Sequence, residues 1–174
     1  MKIENYVKHY YDFPLTGVVY WDFSYLLKNV EARNFAINQF LEYLKNKDFD
    51  KIVAVESKGF TIGSILADRL EKELVLIRKP NLIPGEILSE RFIKEYGQAE
   101  YQIKKDAIKS GEKVIIFYDI MAGSGASKAC INLIEKLGGK VKACLYVTEL
   151  EYLSGKKDLM DVDTFSLVKI KEKL

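Results

Sequence analysis

Histidine is nearly absent from this chain: His9 is the single one in 174 residues. Without a second histidine, a Ser–His catalytic arrangement or a His-rich zinc site is hard to assemble. His9 itself, set among tyrosines, reads as a surface or packing residue. Cysteine is scarce as well. Cys130 and Cys144 fall in a predicted helix core face and a predicted strand, which marks them as buried reduced thiols rather than a disulfide or a metal pair. Charge of one sign is also lacking, since 27 Lys and Arg against 25 Asp and Glu leave only +2. Neither nucleic acid nor an anionic membrane is therefore expected as a partner. No apolar run approaches membrane-spanning length and the opening MKIENYVKHYYDF carries no signal-peptide pattern, so a cytoplasmic location is expected. Linker-like and low-complexity stretches are missing too, and 48% hydrophobic residues over this length predict a single domain spanning 1–174 with a sizeable core.

Against these absences stands an alternation of apolar runs and helical repeats. After a predicted short N-terminal helix, the segment DFPLTGVVYWDF mixes Pro14, Gly17 and several aromatic residues, which suits an ordered loop. Glu31 to Lys45 carries Ala36, Phe40 and Leu44, with Ile37 and Leu41 beside them, in helical register. Lys51 to Val55 reads as a short buried strand, Phe60 to Leu70 as a helix, and Leu74 to Ile77 as the next strand. From Asn81 to Lys105 the pattern changes: Pro84-Gly85, several charges and a weak alternation through Tyr101-Gln102-Ile103 predict an excursion of extended chain, a feature that is usually functional or mobile inside a compact domain. A strand through Val141 to Val147 and an extended segment near Thr164 to Val168 complete the series. Strands alternating with helices predict a doubly wound α/β fold, with a mainly parallel sheet and helices on both faces.

Residues 114–130 read VIIFYDIMAGSGASKAC. Val114 to Phe117 are apolar on both faces, as a central parallel strand must be, and Asp119 is expected where that strand emerges. Cys130, Leu133, Ile134 and Leu137 then fall at helical spacing, and Gly138-Gly139 mark the stop. A strand, a glycine-broken loop and a helix N-terminus make an anion site from backbone N–H groups, to which Ser124 and Ser127 would add hydroxyl donors. The loop is neither GxGxxG nor GxxxxGK[ST] and by itself selects no ligand. Three strand ends, however, carry notable groups: Glu56-Ser57-Lys58-Gly59, Arg78-Lys79, and Asp119 with its loop. In a parallel sheet all three converge on one edge, which suggests a ligand carrying several phosphates and a sugar.

These stretches, with VAVESKGFTIGSILAD, VLIRKP followed by IPGE, KEYGQAEYQIKKDAIKSGEKVIIFYD and LGGKVKACLYVTELEYLSG, resemble the type I purine phosphoribosyltransferases over nearly the whole chain, most closely those that use adenine. The resemblance implies transfer of the 5-phosphoribosyl group from phosphoribosyl pyrophosphate to a purine nitrogen in purine salvage. Mg²⁺ would be bound through the donor, with no metal ligand expected directly from the protein, and the molecule would be a homodimer acting on small molecules. It further implies that Asp119 holds the ribose hydroxyls and that Ala122, Gly123, Ser124, Gly125, Ala126 and Ser127 wrap the 5′-phosphate. Ser57, Lys58 and Gly59 would face the pyrophosphate, helped by Arg78 or Lys79. An N-terminal hood over about residues 1–30 would offer Val19, Tyr20 and Trp21 to the base, and a mobile lid over about residues 81–105 would carry Tyr96 and the proton-transfer residue Glu95.

The chain departs from that pattern at several places. Tyr118 stands where the family has a second acid, and Gly123, Ser124 and Ala126 replace its Thr-Gly and final Thr. Lys58 stands for an arginine, Leu82 for a lysine and Trp21 for a basic residue. These changes leave two alternatives open: a diverged, non-catalytic protein that binds a nucleotide or phosphoribosyl pyrophosphate, and a phosphoribosyltransferase for another nucleobase.

Overall fold

The computed structural model of the chain describes residues 1–94, 97–159 and 161–173. A 3-10 turn at Ile3–Tyr6 leads into β1 (Lys8–Tyr10), which pairs antiparallel with β2 (Tyr20–Asp22). The expected N-terminal helix is thus one 3-10 turn, and the end of the expected loop DFPLTGVVYWDF is a strand. Both differ for the same reason: three-residue strands are too short to show an alternation, and their pairing is nonlocal. A short helix, α1 (Ser24–Lys28), precedes α2 (Val30–Leu44). Asn29 starts α2 by accepting a 2.8 Å hydrogen bond from the Ala32 N–H, the usual service of an N-cap side chain.

The central sheet contains β3 (Lys51–Val55), reached from α2, and then, after α3 (Gly59–Arg69), β4 (Glu73–Ile77). The predicted excursion follows as an antiparallel hairpin of β5 (Ile87–Lys94) and β6 (Gly97–Lys104), closed with Lys94 opposite Gly97. The chain returns to the sheet in β7 (Lys113–Met121), crosses α4 (Gly125–Lys136), and ends in β8 (Lys140–Leu150) and β9 (Asp163–Ile170). Spatial order is β4-β3-β7-β8-β9, and each neighbouring pair is parallel. This is the predicted doubly wound sheet. β7 runs four residues beyond Phe117, because its parallel pairing with β8 continues through Tyr118, Ile120 and Met121; the polar side chains that suggested a strand end lie inside the ladder.

Two apolar layers sandwich the sheet. On one face α2 and α3 bring Ala36, Phe40, Ile62 and Leu66 onto Ile52, Phe117 and Leu145. On the other, α4 and the hairpin bring Cys130, Leu133, Ile134, Phe92 and Tyr101 onto Val53, Ile116 and Cys144. Both cysteines are free and buried. Phe40 is 0% exposed and meets the rings of Phe117 and Phe165 edge-on at 5.2 and 5.7 Å. Phe40→Ala is expected to cost about 3–5 kcal/mol of unfolding free energy, measured by urea denaturation. A loss under about 1 kcal/mol would contradict this assignment of the core.

Candidate active site

β3 and β7 are neighbours in the sheet but not in the chain. The connection leaving β3 turns through α3 toward β4, while the one leaving β7 turns through α4 toward β8. The two chains part at this point, and a crevice opens beyond the strand ends, where open α/β sheets take their ligands. Lys58, in the turn after β3, and Asp119, in β7, meet there. Their Nζ and Oδ2 lie 3.0 Å apart.

Asp119 is only 7% exposed, and a carboxylate so buried requires a partner. Lys58 is enclosed as well. Its ammonium lies 4.7 Å over the Tyr20 ring and 5.2 Å over the Phe23 ring, within reach of cation–π attraction, and 3.5 Å from the Trp21 carbonyl. Burial opposes the charge on Lys58, but the Asp119 carboxylate outweighs it and lifts the pKa above the ordinary lysine value.

The next strand end supplies the second cationic group. Arg78 Nε donates to Glu56 Oε2 at 3.1 Å, the Lys79 backbone N–H donates to the same oxygen at 3.0 Å, and Arg78 Nη1 donates to the Leu82 carbonyl at 3.3 Å. Ser57 and the Lys79 side chain are exposed beside this network, and Gly59 opens α3 in the core. Lys79 also lines a cavity of about 410 Å³ with Arg91, Gln98 and Tyr101, between the end of β4 and the hairpin.

Ala122 to Ser124 form the loop from β7 into α4. Ser124 makes no side-chain capping bond to the helix; its Oγ donates instead to Asp158 Oδ2 at 2.5 Å, and Lys128 stands 3.5 Å from that carboxylate. The Ser127 hydroxyl is buried against Tyr146, at 2.8 Å. Both hydroxyls expected to face a phosphate are thus engaged within the protein. The N–H groups of the first turn of α4, Gly125 to Ser127, have no intrahelical acceptor and sit at the positive end of the helix dipole.

The loop is held from two sides at contact distance. A Cβ on Gly155 would stand 2.7 Å from the Ala122 carbonyl, and one on Gly125 would stand 2.6 Å from the Ile93 carbonyl of β5. The hairpin is also tied to α4 by Glu90, which pairs with Lys136 at 2.6 Å and accepts from Asn132 at 2.9 Å. Tyr118 reaches the hairpin as well, its hydroxyl 2.6 Å from that of Tyr101. Glu95 and Tyr96, expected on the lid, lie outside the described residues.

Within the N-terminal segment the three expected base-binding residues part company. Tyr20 turns its ring to Lys58. Trp21, its neighbour on a strand whose side chains alternate, is buried in the α2 core and packs on His9, ring centroids 5.3 Å apart. Val19 is half-buried against the same core. Phe23, Tyr101 and Asp158 were not anticipated. Asp158 lies 34 residues from Ser124, and no local pattern signals such a partner.

Burial would raise the Glu56 carboxyl, but the Lys79 N–H and the Arg78 guanidinium overcome this and hold it below the ordinary range. A carboxyl lowered on folding contributes stability above its unfolded value of about 4.3 and loses it as pH falls through the folded value. Arg78→Met is therefore expected to cost about 1 kcal/mol at neutral pH and a smaller amount near pH 3, as the pH falls toward the lowered folded value of Glu56. Denaturant titrations at the two pH values check this; a deficit that persists or grows in acid would contradict it.

Comparison with known proteins agrees with this geometry. The family described as "Phosphoribosyl transferase domain" matches residues 27–172. An adenine phosphoribosyltransferase of Thermosipho melanesiensis is 43% identical over 168 residues, covering 97% of this chain and 96% of the relative. The crystal structure of adenine phosphoribosyltransferase from Thermoanaerobacter pseudethanolicus superimposes with a TM-score of 0.92 at 38% identity, over 96% of this chain and 97% of that one. The Saccharomyces cerevisiae enzyme, solved with an imino-altritol bisphosphate and adenine, gives 0.87 at 32% identity, over 95% and 96%. With its crevice between β3 and β7, its uncapped helix N-terminus and these matches along its length, the chain belongs to the phosphoribosyltransferase family, among the adenine phosphoribosyltransferases.

Proposed function

We propose that the protein transfers the 5-phosphoribosyl group from phosphoribosyl pyrophosphate to adenine, giving AMP and pyrophosphate. The observation that carries this reading is the pairing of the Asp119 carboxylate with the Lys58 ammonium at the point where the sheet divides, with the N-terminus of α4, which Ser124 does not cap, following Asp119 in the chain. One acid, one cation and one anion-binding helix end match a sugar, a leaving diphosphate and a 5′-phosphate.

The reaction passes through a ribosyl group with developing positive charge while pyrophosphate departs, so it needs positioning and charge complementarity more than a nucleophile. Asp119 accepts hydrogen bonds from the ribose hydroxyls and offsets the developing cation. Backbone N–H groups from Ala122 to Ser127 hold the 5′-phosphate. Ser57, Lys58, Gly59, Arg78 and Lys79 receive the pyrophosphate. The Tyr20 ring covers the purine, and backbone groups around Val19 and Trp21 read its edge. Glu95, on the lid, moves the proton at the purine nitrogen, and the hairpin excludes water.

Mg²⁺ fits this site as a passenger of the donor. Asp119 and Glu56 are both engaged, with Lys58 and with Arg78 and Lys79, so the hard oxygen ligands the ion requires come from the donor's own phosphates. When bound it neutralises charge on the departing pyrophosphate. No described helix is long and apolar enough to cross a membrane, and buried free thiols suit the reducing cytoplasm. We further expect a homodimer, which sedimentation at several concentrations tests.

The decisive assay is pyrophosphate release with Mg²⁺ and phosphoribosyl pyrophosphate, with adenine, hypoxanthine, guanine, xanthine or no base. Release with adenine is expected, and Asp119→Asn should lower kcat/KM for the donor by about 10- to 100-fold, the worth of a charge-assisted hydrogen bond or more. Release with a different base would replace adenine in the reading. Folded protein that stays silent with every base would overturn the transferase and favour a binding protein.

A further inference from the structure

Tyr118 precedes Asp119 in β7, and strand alternation sends the two side chains to opposite faces. Asp119 turns to Lys58. Tyr118 turns into the apolar layer beneath the hairpin, beside Phe92, Tyr101 and Cys130. Its hydroxyl meets that of Tyr101 at 2.6 Å, with the rings edge to face at 6.3 Å. Tyr101 is 2% exposed and packs on Phe92 with ring centroids 4.9 Å apart. Burial pushes both phenols above the ordinary tyrosine value, so a neutral hydroxyl pair persists at any working pH.

The other ties of the hairpin run elsewhere. Arg78 and Gln102 exchange backbone hydrogen bonds of 2.9 and 2.8 Å, which join β6 to the end of β4. Glu90 joins β5 to α4. The tyrosine pair joins β6 to β7, the strand that carries Asp119. It also lies on the same side of the sheet as the contact between the Ile93 carbonyl and Gly125.

We propose that Tyr118 is a positioning residue for the transfer reaction, its hydroxyl anchoring β6 on β7 and so setting how closely the hairpin covers the phosphate loop and the donor. The proposal rests on the transferase reading above. It also accounts for a tyrosine where the family resemblance led us to expect a second acid: the position serves the hairpin, and diol recognition falls to Asp119. A carboxylate here would be too short to reach Tyr101 and would be buried without a partner.

Tyr118→Phe and Tyr101→Phe keep the rings and remove one hydroxyl each. Amide hydrogen exchange of substrate-free protein, and steady-state kinetics with each substrate varied, are measured on both variants and their combination. Exchange in β6 is expected to rise about five- to tenfold in either single variant, the worth of one buried hydrogen bond, while β3 exchanges as before. The KM for phosphoribosyl pyrophosphate should rise by a similar factor and the KM for adenine should change less than about twofold. The double variant should do no more than either single one, since both remove the same bond. Tyr118→Asp should weaken donor use further. Unchanged β6 exchange in both single variants, additive effects in the double variant, or tighter donor use by Tyr118→Asp would each overturn the proposal. The expected rise in β6 exchange in both single variants, together with wild-type protein that turns over no base, would uphold the anchor and sink the transferase reading separately.

Discussion

Parallel strands leave their carboxyl ends on one edge of a sheet, and the site depends on that constraint. Because β3 and β7 lie side by side with connections that part, a polar crevice opens at the middle of a structure that is otherwise apolar on both faces. A buried carboxylate at this point is tolerable only with its charge compensated, and Lys58 compensates it at 3.0 Å. The ammonium needs shelter in turn, and the rings of Tyr20 and Phe23 supply it. The pairing of an acid on β7 with a base in the turn after β3 thereby draws the N-terminal segment over the sheet edge.

The loop between β7 and α4 is braced by segments that lie far from it in the chain. Two hydroxyls brace it: Ser124 holds Asp158 at the surface, and Ser127, in the first turn of α4, meets Tyr146 in the interior. Gly155 and the Ile93 carbonyl press on it at distances no side chain would permit. A loop braced in this way keeps its N–H groups oriented before any ligand arrives, which is the condition for electrostatic stabilisation without reorganisation.

Much of the fold was legible in the sequence because it rests on local periodicity. β3 matches its expected span from Lys51 to Val55, and α3 and α4 follow the helical spacing of Ile62, Leu66, Cys130 and Leu133. The pairing of β1 with β2 was not legible, being three residues long and separated by a turn, nor was the continuation of β7 to Met121, which neighbouring β8 imposes. The extended character of residues 81–105 was apparent, but its closure into a hairpin docked on α4 depends on Glu90, Lys136 and Gly125, far apart in the chain.

The sequence by itself determined the alternation of strands and helices, the residues at the strand ends and the family they resemble, because each is written in a short stretch of neighbouring residues. Only the tertiary structure decided which way those residues face. Tyr20 and Trp21 are adjacent in sequence, yet one covers Lys58 and the other enters the core; Tyr118 and Asp119 are adjacent, yet one holds the hairpin and the other the crevice. The reason is physical: successive strand residues project to opposite faces, and what each face meets is set by partners that lie tens of residues away.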